Sequence, residues 1–447
     1  MLDSTDTIAA IATPPGNGGV GIIRISGSLV INIAEQLLPK IPVPRVANYS
    51  AFLDVDASVL DSGIVLYFPA PASYTGEDIL ELHGHGGSVV LHMLLRRILS
   101  LGVRLAEPGE FTKRAFLNDK LDLTQAEAVA DLIESSTEQS ARSAQKSMQG
   151  VFSKQVNDLI EELIELRTYV EAAIDFVDEE IDFLTDGIVQ KRIENLLERI
   201  EKIQQTAQQG RLLRDGMTLV IAGKPNAGKS SLLNVLAGYD AAIVTDEAGT
   251  TRDVIRERVQ IDGMPLHIID TAGLRESDNP VEQEGIRRAK NEINNADKVL
   301  LLMDGREPEP IALLETLPSH LDVTYLYNKI DLLDLSPAIV QTDSKTQIWL
   351  SVKTGAGISL LINHLKQSVG FNDKTESVFI ARTRHLEALG KAYELTKSAL
   401  VQLQFQQAGE LVAEDLRQAQ QSLCEITGEF HSDDLLGKIF SSFCIGK

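Results

Sequence analysis

Only two cysteines, Cys424 and Cys444, occur in the 447 residues, so a disulfide framework is excluded and a reducing compartment, the cytoplasm, is expected. Long apolar runs are missing too: no stretch reaches the ~18 residues of a membrane-spanning helix. Positive charge is scarce, with 42 Lys and Arg against 64 Asp and Glu and a formal net charge of -22. That balance argues against a protein that coats nucleic acid by counterion release over its whole surface, so any RNA contact is expected to be local or shared with a partner. The start, MLDSTDTIAAIATPPG, carries acids where an export signal carries Lys or Arg, and no export is expected. What is present, 43% hydrophobic and 24% charged residues, suits a globular chain with material for about three domains.

Residues 1–120 mix short apolar runs (21–25, 63–68 and 89–95) with Gly and Pro punctuation, the pattern of an α+β domain, and 38–45 reads as a loop within it. Runs free of Gly and Pro then cover 124–149, 151–186 and 188–209, which predicts long helices, with 210–216 closing the block. Helical character returns over 384–407 and 410–426. The expected layout is therefore an α+β domain (1–120), a first helical part (121–214), an inserted domain (215–375) and a second helical part (376–447). If the helical parts pack together, motion of the insert is felt at its two stalks. The acidic run 175–182 (DFVDEEID) could hold a divalent metal but reads rather as a solvated helix end.

The insert carries the chemistry. Gly223-Lys224-Pro225-Asn226-Ala227-Gly228-Lys229-Ser230 has the spacing of a P-loop, between the strand-like 217–222 and a helical pattern that opens at Ser230-Ser231. Backbone N–H groups of such a loop close around the β-phosphate, Lys229 supplies charge to the β/γ oxygens, and the Ser230 hydroxyl can ligate Mg2+. Asp270-Thr271-Ala272-Gly273 follows a strand-like stretch, its Asp suited to the surroundings of Mg2+ and the Gly273 N–H to the γ-phosphate. In Asn328-Lys329-Ile330-Asp331 the final carboxylate can accept both guanine N1–H and the exocyclic amine, which adenine does not offer. Ser351-Val352-Lys353 is similar to the loop that backs the base. Between P-loop and Asp270 lies Gly249-Thr250-Thr251-Arg252-Asp253, suited to a switch, with Thr251 a second Mg2+ ligand. Many GTPases place a water-positioning Gln directly after the Asp270-type motif; here that place holds Leu274. Arg275, Glu276, Glu282 and Glu284 are the candidates that remain.

With these motifs in hand the chain resembles the Era/EngA-like group of GTPases, and within it the TrmE (MnmE) family of tRNA-modification GTPases. The likeness runs end to end, through ATPPGNGGVGIIRISG, SYTGEDILELHGHGG, PGEFTKRAFLNDKLDLTQAEAVADLI and the terminal GEFHSDDLLGKIFSSFCIGK. The resemblance implies a Ras-like P-loop GTPase domain inserted in an α-helical domain, behind an α+β folate-binding domain. It implies a K+ ion held by Asn226, Thr245, Glu247 and Thr250 in place of an arginine finger, with Glu282 orienting water and the GTPase domains pairing face to face. It also implies a homodimer, a formyl-tetrahydrofolate held by Arg24, Glu81, Lys120 and Lys447, and a role for Cys444 in the tRNA chemistry. The implied partner is the FAD protein MnmG (GidA), FAD entering only through it, and the implied product is an aminomethyl or carboxymethylaminomethyl group on wobble uridine C5 of certain tRNAs. His83 and His85 read as a non-metal pair, since no third ligand stands near them in the sequence. Cys424 reads as packing, and the Cys-Ile-Gly-Lys ending does not fit a prenylation box. The rival expectation is a regulatory GTPase of the ribosome-assembly type, which calls for a basic RNA-binding appendage; a folate-binding sensor is the third.

Overall fold

A computed structural model describes residues 6–175, 187–239, 256–270, 294, 296–308, 320–342, 345–371, 378–406, 408–429 and 433–446. The chain forms two compact units, one of residues 1–130, 147–197 and 391–447, the other of 131–146 and 198–390.

The first unit contains a six-stranded sheet of β1 (Ile8–Ile11), β2 (Gly18–Ser26), β3 (Asn48–Leu53), β4 (Val59–Phe68), β5 (Ile79–Gly86) and β6 (Arg104–Leu105). Their spatial order is β3-β4-β5-β2-β1-β6, antiparallel except for β1 with β6. Period-two alternation sends Ile23, Ile25, Phe52, Val65, Leu80 and Leu82 into one core, covered by α1 (Val30–Leu37) and α2 (Ser88–Leu99). Residues of opposite parity, Arg24, Glu81 and His83, are thereby kept out of that core. The run 89–95 is part of α2, and 38–45 lies in a loop, as expected.

The sequence predicts one helix over 124–149, but the structure divides it into α4 (Leu123–Glu134) and α5 (Glu138–Met148). Ser135-Ser136-Thr137 causes the break. Ser135 Oγ donates to the Asp131 carbonyl at 2.6 Å, and Thr137 Oγ1 accepts from the Ser140 N–H at 3.0 Å, so side chains replace helical backbone bonds and cap a new start. After α3 (Glu110–Leu117), the long α6 (Val151–Asp175) buries Phe152, Val156, Leu159, Leu163, Leu166 and Val170 on one face, along α11 (Gly409–Thr427). Most of the acidic run 175–182 lies outside the described residues. The short α12 (Asp433–Ser441) joins Leu123 and Ala126 through Leu436, Ile439 and Phe440.

The second unit is built on a seven-stranded sheet: β7 (Met217–Gly223), β8 (Arg256–Ile261), β9 (Met264–Asp270), β10 (Lys298–Asp304), β11 (Val323–Asn328), β12 (Ala338–Gln341) and β13 (Thr346–Trp349). The order is β12-β13-β11-β10-β7-β9-β8, with all neighbours parallel except the antiparallel edge pairs. A central parallel strand covered on both faces needs a continuous apolar run, which β10 supplies in Val299–Met303 and β7 in 219–222. Helix α7 (Ile188–Asp215) ends within the expected 210–216, just before Gly216 at φ +70°, and Gly210 inside its last turns serves a close approach to Phe379. Among the described residues, helices α8 (Lys229–Tyr239), α9 (Ile358–Ser368) and α10 (Thr383–Val401) follow, the last ending in a π-helical turn at Gln402–Gln406. Among the described residues no helix is long and apolar enough to cross a membrane.

Candidate nucleotide site

Parallel strands end together, so whatever follows each of them is gathered at one edge of the sheet. Register places Ile221 of β7 beside Asp270 of β9, Asp304 of β10 beside Asn328 of β11, and Tyr327 beside Trp349 of β13. Hence the P-loop, Asp270, Asn328-Asp331 and Ser351-Lys353, scattered over more than a hundred residues of sequence, share the carboxyl edge.

The P-loop joins β7 to α8 as its sequence requires. Gly228 has φ +105°, and a Cβ there would meet Asn328 Nδ2 at 2.6 Å, so only glycine fits. Asn226 also sits in the left-handed region, at φ +64°, with its side chain exposed. Lys229 Nζ donates to the carbonyls of Gly223 at 2.7 Å and Lys224 at 3.1 Å, which holds the ammonium over the loop. Ala227 is buried, while Ser230 and Ser231 are exposed in the first turn of α8. With its N–H groups and a hydroxyl at the N-terminal end of that helix, this segment suits phosphate oxygens and a hard cation.

Asn328 acts as a staple. Buried, it donates from Nδ2 to the Ala227 carbonyl at 2.8 Å and accepts at Oδ1 from the N–H groups of Lys329 (2.8 Å) and Val352 (3.0 Å). One amide thus fixes the P-loop and the Ser351 loop in a single frame. Ser351, fully buried, donates to Asp331 Oδ1 at 2.6 Å, aligning an otherwise exposed carboxylate. Lys353 is exposed. Lys329, at φ +68°, reaches Asp304 Oδ2 at 3.0 Å. Motif reasoning misses Asp304; an acid closing the buried run VLLLMD is the signal that could find it. Hydrogen bonds from Arg306 hold the Asp304 carboxyl well below the usual carboxylate range, with burial opposing them and Lys329 adding to them.

Thr245, Glu247, Thr250, Thr251, Gly273 and Glu282 lie outside the described residues, and for Asp270 the backbone alone is described. Lys447 is likewise outside them. In the first unit, Arg24 and Glu81 meet: Arg24 Nε donates to Glu81 Oε1 at 2.8 Å, and Arg24 Nη1 to the Gly446 carbonyl at 3.4 Å. The rings of Tyr74 and Phe111 lie 5.6 and 5.7 Å from the guanidinium. Glu81 Oε2 is 3.1 Å from His83 Nε2, while His85 Nδ1 is 2.7 Å from Asp61 Oδ1. Lys120 Nζ donates instead to the Pro71 carbonyl at 2.9 Å. A cleft of about 220 Å³ lies elsewhere, along the loop from Thr13 to Gly18. Cys444 is exposed, and its carbonyl accepts from the Gly109 N–H at 3.3 Å. Cys424 is buried in α11, and burial with the nearby Glu429 carboxylate pushes its thiol up to about 12, which makes it inert packing as expected.

A largely parallel sheet that carries a P-loop after an inner strand, with the Asn328-Lys329-Ile330-Asp331 motif braced beside it, is the architecture of a P-loop GTPase. Residues 7–120 match the family described as GTP-binding protein TrmE N-terminus, and residues 123–444 match that described as MnmE helical domain. A tRNA modification GTPase MnmE of Hydrogenovibrio crunogenus is 59% identical over 449 residues, and that of Yersinia pseudotuberculosis serotype IB 58% over 454, each alignment covering 100% of both chains. The chain belongs to this family of tRNA modification GTPases. Among solved structures, Aquifex aeolicus Era bound to GDP.AlF4- is similar at 22% identity and a TM-score of 0.26, over 40% of this chain and 66% of that one.

Proposed function

We propose that this GTPase is activated by K+, works as a homodimer in the cytoplasm, and acts with the FAD protein MnmG to install an aminomethyl or carboxymethylaminomethyl group at C5 of the wobble uridine of certain tRNAs. A folate one-carbon unit supplies the carbon. The observation that carries the reading is the Arg24 bridge, which ties Glu81 to the carbonyl of Gly446 and so sets the loop bearing Cys444 beside the candidate folate residues.

The residues present fit the groups the reading requires. Ser230, exposed at the start of α8, fits one ligand position of Mg2+, and Thr251 is the other candidate. Asn226 is exposed, and its side-chain carbonyl fits a ligand for K+; a monovalent cation bound there offsets charge that develops on the phosphates. Thr245, Glu247 and Thr250 are the further K+ candidates, and Glu282 is the candidate that orients water. Glu81, paired and bordered by aromatic rings through Arg24, fits the donor edge of a pterin. Lys120 and Lys447 are further candidates for that ligand, on the family resemblance alone.

Nucleoside analysis of tRNA from cells lacking the gene tests this reading. Wobble uridines lose their C5 substituents, and the wild-type gene restores them while Cys444→Ser does not. Unchanged wobble uridines reject the assignment and favour the regulatory GTPase; full restoration by Cys444→Ser favours a folate sensor.

A further inference from the structure

Within the second unit the chain runs from α7 into the nucleotide-binding sheet and out of it into α10, and the carboxylate of Asp131 bonds to both crossings. The incoming crossing is the end of α7. There Gly210 lies so close to the outgoing chain that a Cβ would meet the Phe379 carbonyl oxygen at 1.9 Å and Ala381 N at 3.0 Å. The outgoing crossing is the buried run Val378, Phe379, Ile380 and Ala381, which leads into α10. Asp131, on α4 and only 2% exposed, accepts at Oδ1 from Arg214 Nε at 2.8 Å and from Arg382 Nη2 at 2.8 Å. Arg214 stands just ahead of β7, the strand that feeds the P-loop, and Arg382 directly precedes α10. The Arg382 N–H donates to Nδ1 of the buried His385 at 3.0 Å, which anchors the first turn of that helix. Charge-assisted hydrogen bonds hold the two guanidinium groups on that one oxygen, and Arg214 also donates to Asp215 Oδ1 at 2.5 Å.

We propose that Asp131 is a positioning residue for the coupled reaction: it clasps the entry and exit of the insert, so that nucleotide-driven movement reaches α4, α7 and α10 together and is not lost in two slack connections. The inference rests on the proposed reading that GTP turnover serves a modification carried out elsewhere in the chain. A residue that merely stabilised the fold would move both activities alike; a clasp separates them.

The test uses full-length Asp131→Asn and Asp131→Glu, with Arg382→Lys standing in should the Asn variant not fold. Turnover of GTP by the purified Asn variant stays within about twofold of wild type, while C5-modified wobble nucleosides in cells that carry it as sole copy fall about tenfold. Asp131→Glu restores modification. Hydrogen exchange in the Asn variant quickens over 210–216 and 379–385. Wild-type modification in the Asn variant, an equal fall in both activities, or unchanged exchange over those two segments overturns the clasp. Unmodified tRNA in the wild-type arm would instead reject the functional reading, and the exchange measurement still decides the clasp.

Discussion

Ser351 donates its hydroxyl proton to Asp331 Oδ1 at 2.6 Å, so a buried side chain from one loop orients the exposed carboxylate of another. A carboxylate accepts from two donors, which guanine presents on N1 and its exocyclic amine. Asp331→Asn replaces one acceptor by a donor and mismatches guanine while matching xanthine, which carries oxygen at that position. GTP affinity in a competition titration then falls about a hundredfold, corresponding to ~3 kcal/mol for charge-assisted hydrogen bonds, and xanthosine triphosphate binds more tightly than GTP. Retained preference for GTP would remove Asp331 from base recognition. Ser351→Ala, which frees the carboxylate to turn, weakens GTP about fivefold on the ~1 kcal/mol scale of one hydrogen bond.

Asn226 has two possible reasons to be where it is, and two substitutions tell them apart. Its φ of +64° suits Asn or Gly, whereas Ala there is strained by about 1 kcal/mol. If backbone shape alone matters, Asn226→Gly turns over GTP like wild type and only Asn226→Ala is impaired. If the side-chain carbonyl ligates K+, both variants lose the excess of turnover in K+ over Na+. Phosphate-release rates in the two salts, at matched ionic strength, distinguish these outcomes.

Local signals make the nucleotide domain legible. The strand-like stretch 217–222 corresponds to β7 within one residue, and the strand-like stretch ahead of Asp270 to β9. Apolar runs bounded by turn residues are a short-range property, and so is the P-loop spacing. What the sequence hides depends on contacts across the fold. Asn328 reads as a nucleotide residue, yet its described bonds go to Ala227, Lys329 and Val352; its work as a staple follows from β10 and β11 lying side by side, which no local pattern announces. Asp304 is hidden for the same reason. Gly210 reads only as part of the segment that closes the helical block, because the carbonyl it accommodates is far away in sequence. The break at Ser135-Ser136-Thr137 is legible in principle, since three hydroxyl residues in a row compete with the helix for backbone groups, but counting only Gly and Pro passes over them.

Asp6 and Glu110 share Arg104 and Arg114 in one network of the first unit. Arg104 Nε donates to Asp6 at 2.8 Å and its Nη2 to Glu110 at 2.6 Å, and Arg114 Nη2 donates to both acids. Burial alone would raise the two carboxyls, but the guanidinium hydrogen bonds outweigh it and both lie below their usual values of 3.8 and 4.5. A depressed folded-state pKa gives stability that is present above the unfolded-state value and is lost as pH falls through the folded one. The wild-type protein therefore holds a constant thermal advantage over Arg104→Met from neutral pH down to about pH 5, and the gap narrows below ~4.5 as the acids are protonated. A gap that instead narrows as pH rises toward 8 would show that these acids do not carry it.

Gly210 sets helix propensity against packing, and the magnitudes decide between them. A glycine within a helix costs about 1 kcal/mol relative to alanine, so propensity alone says that Gly210→Ala stabilises. The added Cβ, however, meets the Phe379 carbonyl oxygen at 1.9 Å, and the obstacle is backbone that cannot rotate aside like a side-chain tip. Forcing α7 away from Phe379 costs about 1–3 kcal/mol or more, and the overlap wins. Gly437 lies on the exposed side of α12, where an added Cβ meets nothing within 4 Å, so it feels propensity only. Thermal unfolding of the two alanine variants is expected to move in opposite directions, Gly210→Ala downward and Gly437→Ala upward. If Gly210→Ala melts at or above the wild-type temperature, the two crossings are not in the tight contact from which the clasp at Asp131 draws its leverage.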